Sequence, residues 1–454
     1  MNNQLSGKEL LLGVLRHENM PAIPWVPFAG VHAGKLKGYT AQEVLTDANK
    51  LLESLLEVNR IYDPDGQPVI FDLQIEAEIL GCELMWVTNS PPSVATHPLS
   101  ATLELPAHLP EAGEGRLPLI LKVMREMKKE VGDHTALYGL ICGPLTLASH
   151  LRGTEVFMDM FKEQEYLKSL IDYCRAVCFR MIDLYVEAGM DVIAVVDPLV
   201  SQVSPKHFNQ YLAGAYTDIF KYTAERGVIS SFFVCGDATK SLDVMCQTNP
   251  DSISVDENVN LVAAKEITDR YNITICGNIP LTTHMLLGTQ QDNMKYVVDT
   301  LDQLGSHNRV LSPGCDMPYD VPIENIVGIL QALRDPESAR KMLVNYHSSG
   351  FDDIVVDLPN YKNLKRPLVE VFTLDSDTCA ACGYMVSAAK RAVAECKGEV
   401  DLVEYKFTLR ENVARVMKMG IKNLPSLVIN GELKYSSIIP NMNELVAEIE
   451  KAMK

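Results

Sequence analysis

The 454-residue chain lacks the features that define several classes of protein. It has no basic tract. Its 59 Asp and Glu outnumber its 41 Lys and Arg, which gives a formal net charge of −18. A chain of that sign repels phosphates and anionic membranes, so neither nucleic acid nor membrane is expected as a partner. No run approaches the roughly 18 to 20 apolar residues that span a bilayer. Residues 1–17 also lack the pattern of a signal peptide, which predicts a cytoplasmic protein.

Cysteine is present, but not in the pattern of a disulfide-rich secreted protein. The 11 cysteines are odd in number and irregularly spaced. Most lie in apolar, helical patterns and are expected to be buried thiols. Four differ from these because they lie in or near predicted loops: Cys235, Cys315, Cys379 and Cys382.

From about Ala22 to Cys315, short β-branched runs alternate with longer stretches of helical period. The eight runs are 23–28, 68–71, 137–141, 192–196, 229–234, 252–255, 273–276 and 309–311. Eight strands with intervening helices predict an α/β fold, a (β/α)8 TIM barrel, over residues 1–345. A doubly wound parallel sheet is the alternative.

Polar side chains and thiols follow the predicted strands. In a barrel the active site lies at the carboxyl ends of the strands, so these residues are the candidate site. Among them Asp72, Asp197 and Asp256 are candidate catalytic acids that would position substrate or transfer a proton. The alternative for several is a turn or helix-capping role. The full set is His32, Asp72, Cys142, Asp197, Cys235, Asp256, Asn278 and Cys315.

The last part of the chain predicts a separate small domain. Residues 346–366 have no clean period and contain Ser, Gly and Pro, which is typical of a linker, and residues 367–454 follow the order β-α-β-α-β-β-α. Cys379-Ala-Ala-Cys382 lies between a strand and a helix, where the helix N-terminus favours a thiolate. No histidine follows His347, which argues against a zinc site within this domain.

This small domain resembles thioredoxin and glutaredoxin-like proteins through that motif, Leu424-Pro425-Ser426 and Ile429-Asn430-Gly431. The resemblance implies that Cys379 attacks, that Cys382 resolves the mixed disulfide, and that Pro425 is the cis proline facing them. The Trp that usually precedes the first cysteine is replaced by Thr378.

The large domain resembles the uroporphyrinogen decarboxylase superfamily. The matching blocks are 11–27, 71–81, 143–148, 277–280, 312–315 and 322–325, in that order. The resemblance implies either porphyrinogen decarboxylation or corrinoid-linked methyl transfer. Decarboxylation would need an arginine-rich segment after the first strand, and residues 28–35 contain no arginine. Methyl transfer is therefore preferred.

The methyltransferase resemblance implies a zinc ion that activates a thiol or a methyl donor. Its ligands would be a His-x-Cys motif after the fifth strand and a Cys after the eighth. Cys235 and Cys315 match the two cysteines, but Phe233 stands in place of the histidine. A further ligand would come from Asp197 or His32, or else from Asp237 or Cys142.

The implied partners are a corrinoid carried on a separate protein and a small-molecule methyl donor or thiol acceptor. Two other classes of function are alternatives. Cys235 and Cys315 would form a metal-free thiol pair in a thiol–disulfide oxidoreductase, or the chain would be a non-catalytic thiol-binding scaffold. The helix patterns on the barrel exterior are compatible with a homodimer.

Overall fold

A computed structural model describes residues 5–348, 350–351, 353–376, 380–396 and 399–453. The chain divides into two compact units, Met1–Tyr346 and His347–Lys454. Within the described residues, no helix is both long enough and apolar enough to cross a membrane.

The large unit is built on seven parallel strands that are neighbours in the order β1, β4, β5, β6, β7, β8, β9. A separate two-stranded ribbon is formed by β2 and β3. The strands are β1 (Gly66–Pro68), β2 (Leu84–Met85), β3 (Ser93–Val94), β4 (Ala136–Cys142), β5 (Val192–Val196), β6 (Ile229–Val234), β7 (Ser252–Val255), β8 (Thr274–Cys276) and β9 (Arg309–Val310).

Residues 24–26 close this curled sheet between its two edges. Val26 N–H donates to Leu311 O at 3.0 Å and Leu311 N–H donates to Pro24 O at 2.9 Å, beside β9. On the other side, Gly66 N–H at the start of β1 donates to Trp25 O at 3.3 Å. The predicted first strand is therefore only a bridge at Trp25, because Pro24 and Pro27 have no N–H to donate to a ladder.

Helices connect the strands, as the alternation in the sequence predicts. A 3-10 helix, Pro198–Gln202, and a π-helix, Leu281–Leu286, follow β5 and β8. The α-helices are α1 (Gly7–Leu15), α2 (His32–Lys35), α3 (Ala41–Thr46), α4 (Ala48–Tyr62), α5 (Ile75–Ile79), α6 (Leu117–Glu130), α7 (Pro144–Arg152), α8 (Glu155–Lys162), α9 (Gln164–Glu187), α10 (Pro205–Tyr211), α11 (Ala213–Glu225), α12 (Leu242–Cys246), α13 (Leu261–Arg270), α14 (Gln290–Leu304), α15 (Ile323–Arg334) and α16 (Pro336–Leu343).

Aromatic rings fill the barrel interior. The ring of Phe233 lies 4.8 Å from that of Phe28 and 5.7 Å from that of Phe71, centroid to centroid. Phe232, the preceding residue of β6, points outward and stacks on Tyr216 at 4.3 Å. The alternation along β6 therefore directs Phe233 into the core of the barrel.

The small unit has a four-stranded sheet in the order β11, β10, β12, β13, where the β10–β11 pair is parallel and the other two pairs are antiparallel. Helices α17 and α19 pack on one face and α18 on the other, as the two core clusters indicate. The elements are β10 (Leu368–Thr373), α17 (Ala380–Glu395), β11 (Asp401–Lys406), α18 (Arg410–Lys418), β12 (Ser426–Ile429), β13 (Glu432–Ser436) and α19 (Met442–Lys451).

The predicted linker packs against this sheet domain. Tyr361 OH donates to Glu370 Oε2 at 2.9 Å, and Lys418 Nζ donates to Val356 O at 2.7 Å. Val356 is buried. The described part of this segment is therefore a folded extension of the small unit rather than a free spacer.

Candidate active site

Two cysteines meet at the carboxyl ends of the barrel strands. Cys235 follows β6 and Cys315 lies beyond β9, and the structure joins them by a disulfide with a Cα–Cα distance of 5.7 Å. Both side chains pack on the aromatic core of the barrel and both residues are partly exposed. The sequence placed them together, and the structure gives the pair as a disulfide.

Phe233 occupies the position from which a histidine would complete a zinc site. Its side chain is fully buried among Phe28 and Phe71. A catalytic zinc site normally has three protein ligands and one open position. In the described part of the chain, no three His, Cys, Asp or Glu side chains are grouped so that they could hold a metal ion.

Asp197, the first alternative ligand, already accepts hydrogen bonds at both carboxylate oxygens. Its carboxylate accepts from Leu145 N at 2.8 Å, Thr146 N at 3.1 Å and Thr146 Oγ1 at 2.6 Å, and Tyr216 OH also donates to it. The residue has no exposed surface, and burial raises the pKa of its carboxyl to about 6. These donors belong to the first turn of α7 and to α11, so Asp197 ties two helices to β5. This geometry favours a structural role over the predicted catalytic or metal-binding one.

His32, the second alternative ligand, has partners on both ring nitrogens. Nε2 lies 2.7 Å from Tyr62 OH and Nδ1 lies 3.0 Å from Tyr319 O. The Tyr319 carbonyl accepts a hydrogen bond from Nδ1–H, so Nε2 accepts a hydrogen bond from the Tyr62 hydroxyl. Burial lowers the pKa of His32 to about 4, which keeps the ring neutral. Neither nitrogen is available for a metal, and the residues present do not fit the implied zinc site.

Asp72, the candidate acid after β1, forms a buried ion pair. Arg116 Nη1 donates to Asp72 Oδ2, and Arg116 Nε donates to Glu78 Oε2 at 2.7 Å. The remaining guanidinium nitrogen, Nη2, is buried and has no hydrogen-bond partner among the described residues. Arg116, the residue preceding α6, thus places a guanidinium group beside Asp72, and its Nη2 is a buried donor without a partner among the described residues.

Glu76 is a second buried acid beside this pair, and the sequence did not single it out as a site residue. Its Oε1 accepts from Cys142 N at 2.9 Å, whereas Oε2 is buried with no partner in the described part of the chain. Burial raises the pKa of Glu76 to about 7. A carboxyl group with that pKa exchanges protons near neutrality.

Further acids follow β7 and β9. Asp256 is buried and its Oδ1 accepts from Asn258 N at 2.9 Å, so it closes its own turn. Burial, together with Asp256, raises the pKa of Glu257 to about 8. Asp316, next to Cys315, accepts from Gly30 N at 2.9 Å, and burial raises the pKa of its carboxyl well above the usual range.

Arg116, Glu76, Glu257 and Asp316 were missed by reasoning from the sequence. Glu76 lies in one of the family blocks, and Glu257 and Asp316 each follow a strand-end residue by one position, which is a signal that could have found them. Arg116 gave no signal, because it reaches Asp72 from 44 residues away.

In the small unit, Cys382 lies in the first turns of α17 and is buried. The Leu424–Pro425 peptide is cis. Cys379 lies outside the residues that the structure describes. The predicted roles of Cys379, Cys382 and Pro425 stay predictions.

A curled sheet of seven parallel strands, closed by the bridge at Trp25, carries ionisable groups and a cysteine pair at the carboxyl ends of its strands, and a thioredoxin-like sheet domain follows it in the chain; this is the plan of a two-part α/β enzyme. The chain belongs to the uroporphyrinogen decarboxylase (URO-D) family, whose model matches residues 6–335. A thioredoxin domain model matches residues 368–450. Both family resemblances and the predicted fold class are confirmed.

Curated relatives include enzymes of methyl transfer. The chain is 27% identical over 335 residues to the methylcobamide:CoM methyltransferase MtbA of Methanosarcina acetivorans, which covers 72% of this chain and 97% of that one. It is 29% identical over 269 residues to MtaA of Methanosarcina barkeri, covering 57% and 76%. A solved methyltransferase structure from Methanosarcina mazei superposes with a TM-score of 0.68 at 24% identity, over 75% of this chain and 100% of that one, which supports the fold.

Proposed function

We propose that the barrel catalyses methyl transfer between a methylated corrinoid carried on a separate protein and a thiol or other small methyl carrier. The main support for this proposal is the match over 335 residues to the methylcobamide:CoM methyltransferase MtbA, together with the shorter match over 269 residues to MtaA. No step is assigned to zinc, because Phe233, Asp197 and His32 leave the cysteine pair without a third ligand.

The buried groups beside Asp72 suit a thiol acceptor. When a thiol attacks the methyl group, a sulfur–carbon bond forms, the carbon–cobalt bond breaks with its electron pair left on cobalt, and the thiol proton must leave. Glu76 is the proposed general base, because its pKa of about 7 lets it take that proton near neutral pH. Asp72 and Glu78 hold Arg116 so that Nη2 can bind an anionic or carbonyl group of the substrate.

The test is methyl transfer from methylcobalamin to coenzyme M by the purified, pre-reduced full chain, followed by the absorbance change of the corrinoid and the loss of free thiol. We expect Glu76→Gln to lower kcat by ~10²-fold or more, as for removal of a general base. The matched control is Glu57→Gln, a partly exposed acid paired with Arg60 on α4, which should leave the rate unchanged. Wild-type protein with no activity toward any thiol of a panel would overturn the proposal.

We further propose that the small domain exchanges thiols and disulfides through Cys379 and Cys382. The thioredoxin match and the buried position of Cys382 support this role. The test is a redox titration in which alkylation of the two cysteines is followed by mass spectrometry. Cys396→Ser removes a cysteine of the same helical region that lies outside the motif, and it should leave the titration unchanged.

A further inference from the structure

The cysteines of the large unit fall into two groups. Cys82, Cys142, Cys174, Cys178, Cys246 and Cys276 are buried, and burial raises the pKa of each of these thiols. Cys235 and Cys315 alone among the eight are partly exposed, and they are bonded to each other. Reagents that react with thiols or disulfides would therefore meet this pair first.

The bond spans the mouth of the barrel. Cys235 follows β6 and Cys315 follows β9, and β7 and β8 lie between these strands in the sheet. The cysteines are 80 residues apart in sequence, so only the closed barrel brings them within bonding distance. Both cysteines pack on the aromatic core of the barrel, and both residues are partly exposed.

The surroundings favour a sulfur–sulfur bond over a metal. Phe233 presents an apolar ring where a metal site would need a ligand, and the nitrogens and oxygens of His32 and Asp197 are already hydrogen-bonded. Two thiolates with no third protein ligand make an incomplete zinc site, whereas two neighbouring thiols form a disulfide without a further protein ligand once an oxidant such as molecular oxygen takes their two electrons and two protons.

We infer that Cys235 and Cys315 form a reversible dithiol–disulfide site at the barrel mouth, in place of the zinc site implied by the family, and that the dithiol of this chain's thioredoxin domain is its reductant. This inference is independent of whether the barrel transfers methyl groups, but it rests on the thiol exchange proposed above for Cys379 and Cys382 of the small domain.

The proposed exchange consists of two successive thiol–disulfide displacements. The thiolate of Cys379 attacks one sulfur of the Cys235–Cys315 bond, that bond breaks, and the displaced thiolate takes up a proton. Cys382 then attacks Cys379 Sγ, which releases the second barrel thiol and leaves Cys379 and Cys382 oxidised. The two electrons come from the small-domain dithiol, and an external dithiol restores it. Cys379 is assigned as the attacking cysteine from the Cys379-Ala-Ala-Cys382 motif and lies outside the described part of the chain.

The experiment uses the full chain, oxidised in air and then given a small amount of dithiothreitol. Samples are quenched with an alkylating reagent over time, and mass spectrometry measures how much Cys235 and Cys315 has become alkylated. In the Cys379→Ser, Cys382→Ser double variant we expect the barrel pair to open at least ~10-fold more slowly than in the wild type. Cys396→Ser should open at the wild-type rate.

Two further measurements test the disulfide and the absence of a zinc site. Before reduction, a digest should contain the linked peptides of Cys235 and Cys315, and after reduction the protein challenged with zinc should bind less than ~0.1 equivalent. Zinc at about one per chain that is lost in a Cys235→Ser, Cys315→Ser variant would overturn the inference. Equal opening rates in the wild type and the Cys379, Cys382 double variant would equally overturn it, because the small domain would then not be the reductant.

Discussion

Replacing Asp197 by Ala separates a structural from a catalytic role for this residue. The change removes the acceptor for Leu145 N, Thr146 N, Thr146 Oγ1 and Tyr216 OH, all in a site with no exposed surface. The hydroxyl groups can turn toward other acceptors, but the two backbone N–H groups cannot. Each buried donor left without a partner costs about 1–3 kcal/mol, so the free energy of unfolding should fall by about 4 kcal/mol.

Tryptophan fluorescence in a urea titration measures this loss in the large unit alone. Trp25 and Trp86 are the only tryptophans and both lie there, and Trp25 is fully buried where the barrel closes. With a slope of about 3 kcal/mol per molar urea, the midpoint should fall by roughly 1 M. Tyr216→Phe removes one of the donors and should have a smaller effect in the same direction, about 1 kcal/mol.

An Asp197→Ala protein that unfolds at the wild-type midpoint would contradict a structural role for Asp197. If that protein had also lost methyl transfer, the catalytic role predicted from the sequence would be the correct one. A less stable protein that keeps its rate under folding conditions would support the structural role.

Three other variants test neighbouring groups. Burial raises the pKa of Glu76 from 4.5 to about 7, so the free energy of unfolding of the wild type should fall as pH rises between these two values. The Glu76→Gln variant does not titrate there. Measured by urea unfolding between about pH 5 and 8, it should be more stable than the wild type by about 1–3 kcal/mol. Gly143→Ala places a methyl group 2.5 Å from Asp197 Oδ2 and should destabilise the barrel by about 1–3 kcal/mol in the same assay, whereas an unchanged midpoint would contradict the close approach. Phe233→His supplies the missing zinc ligand. Metal analysis of the reduced variant should find about one zinc per chain, whereas the wild type should bind almost none. A variant that binds no zinc would show that more than one ligand is missing.

The local pattern of the sequence predicted most of the strands. Residues 192–196, 229–234 and 252–255 were predicted as strands and form β5, β6 and β7 with the same limits. They are short β-branched or aromatic runs with clear ends, so the period is unambiguous. The segment 23–28 misled because its apolar residues look like a strand, while its prolines leave only a bridge.

The site was predicted less completely. Adjacency of strand ends was sufficient to bring Cys235 and Cys315 together, because the carboxyl ends of parallel strands converge in a barrel. The order of the strands did not show which strand-end residues already have hydrogen-bond partners within the core. Asp197 and His32 are bonded to Tyr216 and Tyr62, whose hydroxyl groups arrive from helices 19 and 30 residues away.

The order of strands and helices and the two-domain plan could be predicted from the sequence alone, because periodicity and residue type are local properties of the chain. Only the tertiary structure decided that His32 and Asp197 are satisfied core groups, that Arg116 reaches Asp72, and that Phe233 turns into the barrel. Hydrogen-bond partners and burial depend on segments far apart in sequence, and these meet only when the barrel closes.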